Sequence, residues 1–116
     1  MMQYRASHRY ARISPTKARP AADLIRGLSV SRALDLLDHT PTRGASFFIK
    51  VLRSAVANAA QNDSVDVNTL FVSDARVDGG PLLGGRARFR PGPMGRAMPI
   101  RKRTSHIKVS VTQKEA

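Results

Sequence analysis

The chain's 116 residues suffice for one small domain with a modest core, and the absence of cysteine excludes disulfides and thiolate metal sites. Twenty Lys plus Arg face eight Asp plus Glu, a formal charge of +12. Self-repulsion on that scale disfavours an isolated compact state and calls for a polyanionic partner, nucleic acid before an anionic membrane surface.

The first element is "YRASHRYAR", which alternates with period two. Tyr4, Ala6, His8 and Tyr10 share one side, and Arg5, Ser7 and Arg9 the other, the pattern of a half-buried strand with a cationic outer face. A secretory signal or an amphipathic targeting helix would show a different period. Next, "ISPTKARPAADLIRG" opens with Ser14 as N-cap and Pro15 at the first helical position, and closes at Gly27. Ala18, Ala21, Ala22 and Ile25 mark its apolar stripe. Pro20 costs about 3 kcal/mol in a regular helix, so a kink or a late start is expected there.

"SVSRALDLLDHT" reads as a short second helix, with Val30, Ala33, Leu34 and Leu37 in line. Thr40-Pro41 then repeats the cap-plus-proline start. The third helix, "TRGASFFIKVLRSAVANAAQN", carries a broad stripe of Phe48, Val51, Leu52, Ala55, Val56 and Ala59. These three stripes are the expected core. Two strands close the reading. "TLFVSDARVD" is expected to put Phe71, Ala75 and Val77 on one face. "HIKVSVT" is expected to turn Ile107, Val109 and Val111 inward and Lys108, Ser110 and Thr112 outward.

Between those strands lies "GGRARFRPGPMGRAMPIRKRTSHI", with seven cations and no acid. Asp78 to Pro91 spans on the order of 40 Å if extended at about 3.3 Å per residue, more than a small body can cover. The expected fold is therefore α+β. Three helices pack on a small antiparallel three-stranded sheet, and a long β-hairpin protrudes. The whole chain, 1–116, is one domain, with a body over about 1–78 and 104–113 and the hairpin over about 79–103.

Arg86, Arg88 and Arg90 recur at every second position, so one face of the outgoing arm is a row of guanidinium groups, with Phe89 on the other. A lone two-stranded ribbon is marginal in water. Phosphates would take the Arg row, and Phe89 can stack on a base or fill a gap. The tip, Pro91, Gly92, Pro93, Met94 and Gly95, is built for a tight reversal and carries no charge. Architectural DNA-binding proteins also use basic β-arms with a proline at the tip, which is the alternative reading. An enzyme is disfavoured: His8, His39 and His106 are scattered, Asp35 and Asp38 read as a solvated helix face, and no spacing suggests a cofactor or metal site. Membrane binding lacks a basic amphipathic helix with large aromatics.

In order and spacing, "RISPTKAR", "ADLIRG", "SAVANA", "FRPGPMGRA" and "IRKRTSHIKVSV" resemble the large-subunit ribosomal protein twenty-two family, bacterial type. The resemblance runs from about Tyr4 to Val111. It implies a structural constituent of the large ribosomal subunit that binds ribosomal RNA and aids subunit assembly. Its hairpin would line the nascent-polypeptide exit tunnel, with Pro91 to Gly95 as the tunnel tip. The implied RNA-contacting positions are Arg12, Lys17 and Arg19 near the first helix, and Arg86, Arg88, Arg90, Arg96, Arg101, Lys102 and Arg103 on the hairpin. The implied partners are large-subunit RNA, neighbouring large-subunit proteins and the nascent chain, on a cytoplasmic ribosome. No cofactor, membrane or homo-oligomer is expected. Pro20, Gly92, Pro93 and Met94 depart from the family's usual pattern.

Overall fold

The last strand predicted from the sequence lies at the centre of the sheet. The computed structural model describes residues 3–62, 65–82, 88–91, 95, 97–100 and 103–113. In chain order it has β1 (Gln3–Ala11), α1 (Pro15–Ile25), α2 (Val30–Asp38), α3 (Arg43–Ala60), a single 3-10 turn (Val67–Thr69), β2 (Leu70–Leu82), β3 (Arg88–Pro91), β4 (Ala97–Ile100) and β5 (Arg103–Gln113). β5 lies between β1 and β2 and pairs antiparallel with both. Its Ile107, Val109 and Val111 are fully buried. They register against His8, Ala6 and Tyr4 on one side and Val77, Ala75 and Val72 on the other.

The helices cover one face of this sheet, α3 over β1 and β5 and α1 over β2, with α2 against α3. Phe48, Ile25, Leu37, Leu52 and Leu70 fill the space between the layers. Small residues let the helices approach closely. A Cβ on Gly44 would lie 3.2 Å from the Ala18 Cα and 3.3 Å from the Lys17 carbonyl oxygen, so α1 and α3 meet backbone to backbone there.

Both sheet edges are occupied. Along β2, Gly27 N–H donates to the Val72 carbonyl at 2.9 Å and Val72 N–H to the Leu28 carbonyl at 2.8 Å. The Arg26 guanidinium adds a bond to the Ala75 carbonyl at 2.6 Å. On β1, Asn58 Nδ2 donates to the Arg5 carbonyl at 2.9 Å. Along β2 such bonds occupy the edge that a second chain would otherwise use.

The hairpin leaves this body as a continuation of β2 and β5, which stay paired out to Leu82 and Arg103. β3 and β4 then form a separate two-stranded ribbon, from Arg88 opposite Ile100 to Pro91 opposite Ala97. The molecule measures 65 × 25 × 16 Å, so its long axis far exceeds what the two-layer body needs.

Two expectations are corrected, the start of α3 and the face of Phe71, and two are made specific. α1 begins at Pro15 with Ser14 as its N-cap, as the sequence predicts; of the kink or late start expected from Pro20 the late start is absent, and the helix continues through Pro20, which is exposed. Burial of Ala18, Ala21, Ala22 and Ile25 on the opposite side offsets the lost backbone bond. α3 begins at Arg43 rather than after Thr40, because the Thr40 hydroxyl turns back to the Leu36 carbonyl at 2.7 Å and closes α2 instead.

In β2, Val72 rather than Phe71 faces the core. The register slips between Val72 and Asp74, where the extra residue Ser73 donates to the Ser110 carbonyl at 3.1 Å. One added residue inverts the alternation, so Leu70 and Val72 point inward before it and Ala75 and Val77 after it. On β5, Ser110 and Thr112 lie on the outward face as expected, yet both are buried. A central strand has neighbours on both sides, and Gln3, Arg5, Phe71 and Asp74 cover them in register.

The core reading carries a direct consequence. Phe48→Ala removes a fully buried ring from between the layers and should cost about 3–5 kcal/mol, measured as a lower urea midpoint at unchanged m-value.

Candidate nucleic-acid interface

Where the hairpin leaves the body, two strands must stay paired without a helix behind them. The sequence solves this with small residues and hydroxyls. A Cβ on Gly80 would fall 2.5 Å from Thr104 Oγ1 and 3.3 Å from His106 Cε1, so only glycine fits that position. The Thr104 hydroxyl donates to the Pro81 carbonyl at 2.5 Å, across the irregular stretch between Gly79 and Leu82. Ser105, wholly buried, donates to the Ile13 carbonyl at 2.6 Å. That bond fastens the β1–α1 connection to β5, two residues from Arg103. The ring of Pro15 lies 3.9 Å from where a Gly79 Cβ would be, which brings the start of α1 to the same root.

His106 supplies a further tie. Its Nδ1 accepts the Tyr10 backbone N–H at 3.1 Å, so the imidazole is in its Nε2-protonated tautomer when neutral. Tyr10 has φ +62°, a left-handed conformation that costs a bulky residue on the order of 1–3 kcal/mol. The strand register breaks between His8 and Ala11 at this point. Tyr10 therefore leaves the face it was expected to share with Tyr4, Ala6 and His8, and its side chain is 57% exposed.

These ties gather cations at the root. Arg12 sits in the connection that Ser105 anchors, Lys17 and Arg19 lie on the first turns of α1, and Arg103 opens β5. All four are exposed. Three of the six acids in the described residues pair with other cations: Asp23 with Arg26 at 3.0 Å, Asp74 with Arg76 at 2.6 Å, and Asp78 with Lys108 at 2.9 Å. Among the described residues, none of the four root cations has an acidic partner. Asp78, next to the root, is held by Lys108 instead. The hydrogen bond from the Lys108 ammonium, aided by the charges of Lys108 and Arg76, holds its carboxyl below the ordinary range.

The hairpin positions divide in two. Arg88, Phe89, Arg90 and Pro91 stand on β3, in register with Ile100, Pro99, Met98 and Ala97. Gly95 adopts φ +75° at the reversal, as a left-handed turn position requires. Arg86, Gly92, Pro93, Met94, Arg96, Arg101 and Lys102 lie outside the described residues.

Sequence reasoning missed the root residues Gly80, Thr104 and Ser105 and the displacement of Tyr10. Gly79-Gly80 within a strand pattern is a signal of close backbone approach. No local signal announces the Ser105 bond, whose partner is 92 residues away.

The chain matches the family described as ribosomal protein L22p/L17e over residues 6–112. It is 48% identical over 114 residues to the large ribosomal subunit protein uL22 of Halothermothrix orenii, covering 98% of each chain.

The root geometry makes two tests available. Gly80→Val drives a side chain into Thr104 and should cost about 1–3 kcal/mol, with loss of amide protection concentrated at Thr104 to His106. Asp78 is held low in the folded state, so its contribution is present above the ordinary carboxylate value of about 4 and is lost as pH falls through the depressed one. The pair is half exposed, so the effect is small. The stability gap between wild type and Asp78→Asn should be visible at neutral pH in low salt and close on acidification.

Proposed function

The chain belongs to the ribosomal protein L22p/L17e family, and from that premise we propose that it is a structural constituent of the large ribosomal subunit that binds ribosomal RNA through its hairpin and the root beneath it. The observation that carries this reading is the unpaired charge. Arg12, Lys17, Arg19 and Arg103 stand exposed around the root with no acid among the described residues to pair with, and the sequence from 84 to 107 adds cations and no acid. Phosphates cancel that charge, each docking cation releasing counterions as it does so. Arginine predominates over lysine in the segment, as suits planar bidentate contact with phosphate.

The division of labour follows from the fold. The helical body supplies a rigid platform, and the hydroxyl ties at the root set the direction in which the ribbon leaves it. Arg88 and Arg90 on β3, with Arg86, Arg96, Arg101 and Lys102, would engage phosphates along the ribbon, and Phe89 a base or a gap between RNA segments. The uncharged tip, Pro91 to Gly95, would reach the wall of the nascent-polypeptide tunnel. A chain that touches RNA along such a length can hold separate RNA segments together, which is the proposed part in assembly, beside neighbouring large-subunit proteins. The duplex-DNA alternative gains no support from the geometry, since the three helical stripes are consumed in the core.

Binding of the intact protein to large-subunit RNA should weaken steeply with salt. About six phosphate contacts predict a log–log slope of roughly −5. Changing Arg101, Lys102 and Arg103 together to Ala should flatten it, and duplex DNA should compete poorly at the same salt. A slope unmoved by the triple change would place the RNA elsewhere.

A further inference from the structure

Tyr10 is the residue whose geometry the fold leaves unexplained. Its ring is 57% exposed although the sequence pattern directs it inward. Its backbone is held at φ +62°, where a tyrosine is rarely found. Two contacts keep it there. The backbone N–H is bound by His106 Nδ1 at 3.1 Å, and the His106 ring meets the tyrosine ring edge to face, with centroids 5.0 Å apart and planes at 86°. His106 thus fixes both the main chain and the ring. The Arg9 guanidinium stands 5.8 Å from the ring centroid, near the outer limit of a cation–π contact. Arg12 follows Tyr10 by two positions in the chain, and Arg103 precedes His106 by three on β5.

A single exposed aromatic needs no explanation by itself. An exposed aromatic held outward by a strained backbone and oriented by a histidine is different. Arg9 stands beside it and Arg12 two positions along the chain, and that is the chemistry that accepts a nucleobase: a flat face for the base and positive charge for the flanking phosphates. We propose that Tyr10 is a stacking platform for an unpaired nucleobase of ribosomal RNA at the root of the hairpin. This rests on the RNA-binding reading above and adds a base contact at the root, where the other proposed contacts are to phosphate. His106 positions the platform and does not touch the base.

Stacking releases no counterions, which separates it from the surrounding cations. Tyr10→Asn keeps a residue tolerant of positive φ and deletes the ring, whereas Tyr10→Phe keeps the ring. The Asn variant should bind large-subunit RNA about tenfold more weakly, within the range of about 5- to 150-fold measured for base–aromatic stacking, with an unchanged salt slope. The Phe variant should bind as wild type does. A direct readout is available because the chain has two tyrosines and no tryptophan. In Tyr4→Phe, all tyrosine emission comes from Tyr10, and it should be quenched saturably as RNA is retained on filters. Retention without quenching, or equal binding by the Asn and Phe variants, overturns the platform while leaving RNA binding intact. Absence of retention at any salt overturns the RNA reading and the platform with it.

Discussion

Electrostatic repulsion within a segment that has no acids is the constraint on which the rest depends. From Asp23 to Asp78 seven aspartates face six Lys and Arg, and three of the aspartates are paired in place: Asp23 with Arg26, Asp74 with Arg76, Asp78 with Lys108. Nothing comparable is available from residue 84 to residue 107. The three helices and the β1–β5–β2 sheet fold by burying apolar surface, but the ribbon cannot. Its neutralisation has to come from outside the chain, and the fold is arranged to present it for that purpose.

The root shows how a charged ribbon is anchored without using charge. Thr104 to the Pro81 carbonyl, Ser105 to the Ile13 carbonyl and Tyr10 N–H to His106 are neutral hydrogen bonds, and Gly80 gives the strands room to close on each other. Such bonds are insensitive to salt, so the ribbon keeps its direction while its cations exchange partners. Had the same task fallen to ion pairs, the acids needed would have stood beside the phosphate sites and weakened them.

The three helical stripes were legible because burial imposes a 3.6-residue period. Phe48, Leu52 and Ala55 stand where that period put them. The α+β class and the protruding hairpin followed from the order of elements and from a stretch too polar to form a core. The face of Phe71 was not legible, because the slip at Ser73 depends on a cross-strand partner and has no composition signal. Nor was the start of α3, since Thr40 suits the end of one helix as well as the beginning of another. At the site, the hairpin's cationic character was plain from residue types alone. The root ties were not, because they join residues 23 to 96 positions apart. Tyr10 escaped because a tyrosine gives no hint of a left-handed backbone.

The central claim, that polyribonucleotide supplies what the ribbon lacks, is tested most directly by amide hydrogen exchange on the intact protein, free and bound to large-subunit RNA. The account predicts that RNA raises protection in 88–91 and 97–100 by several orders of magnitude and leaves the β1–β5–β2 amides nearly unchanged. Equal protection of the ribbon in both states, at moderate salt, would contradict it.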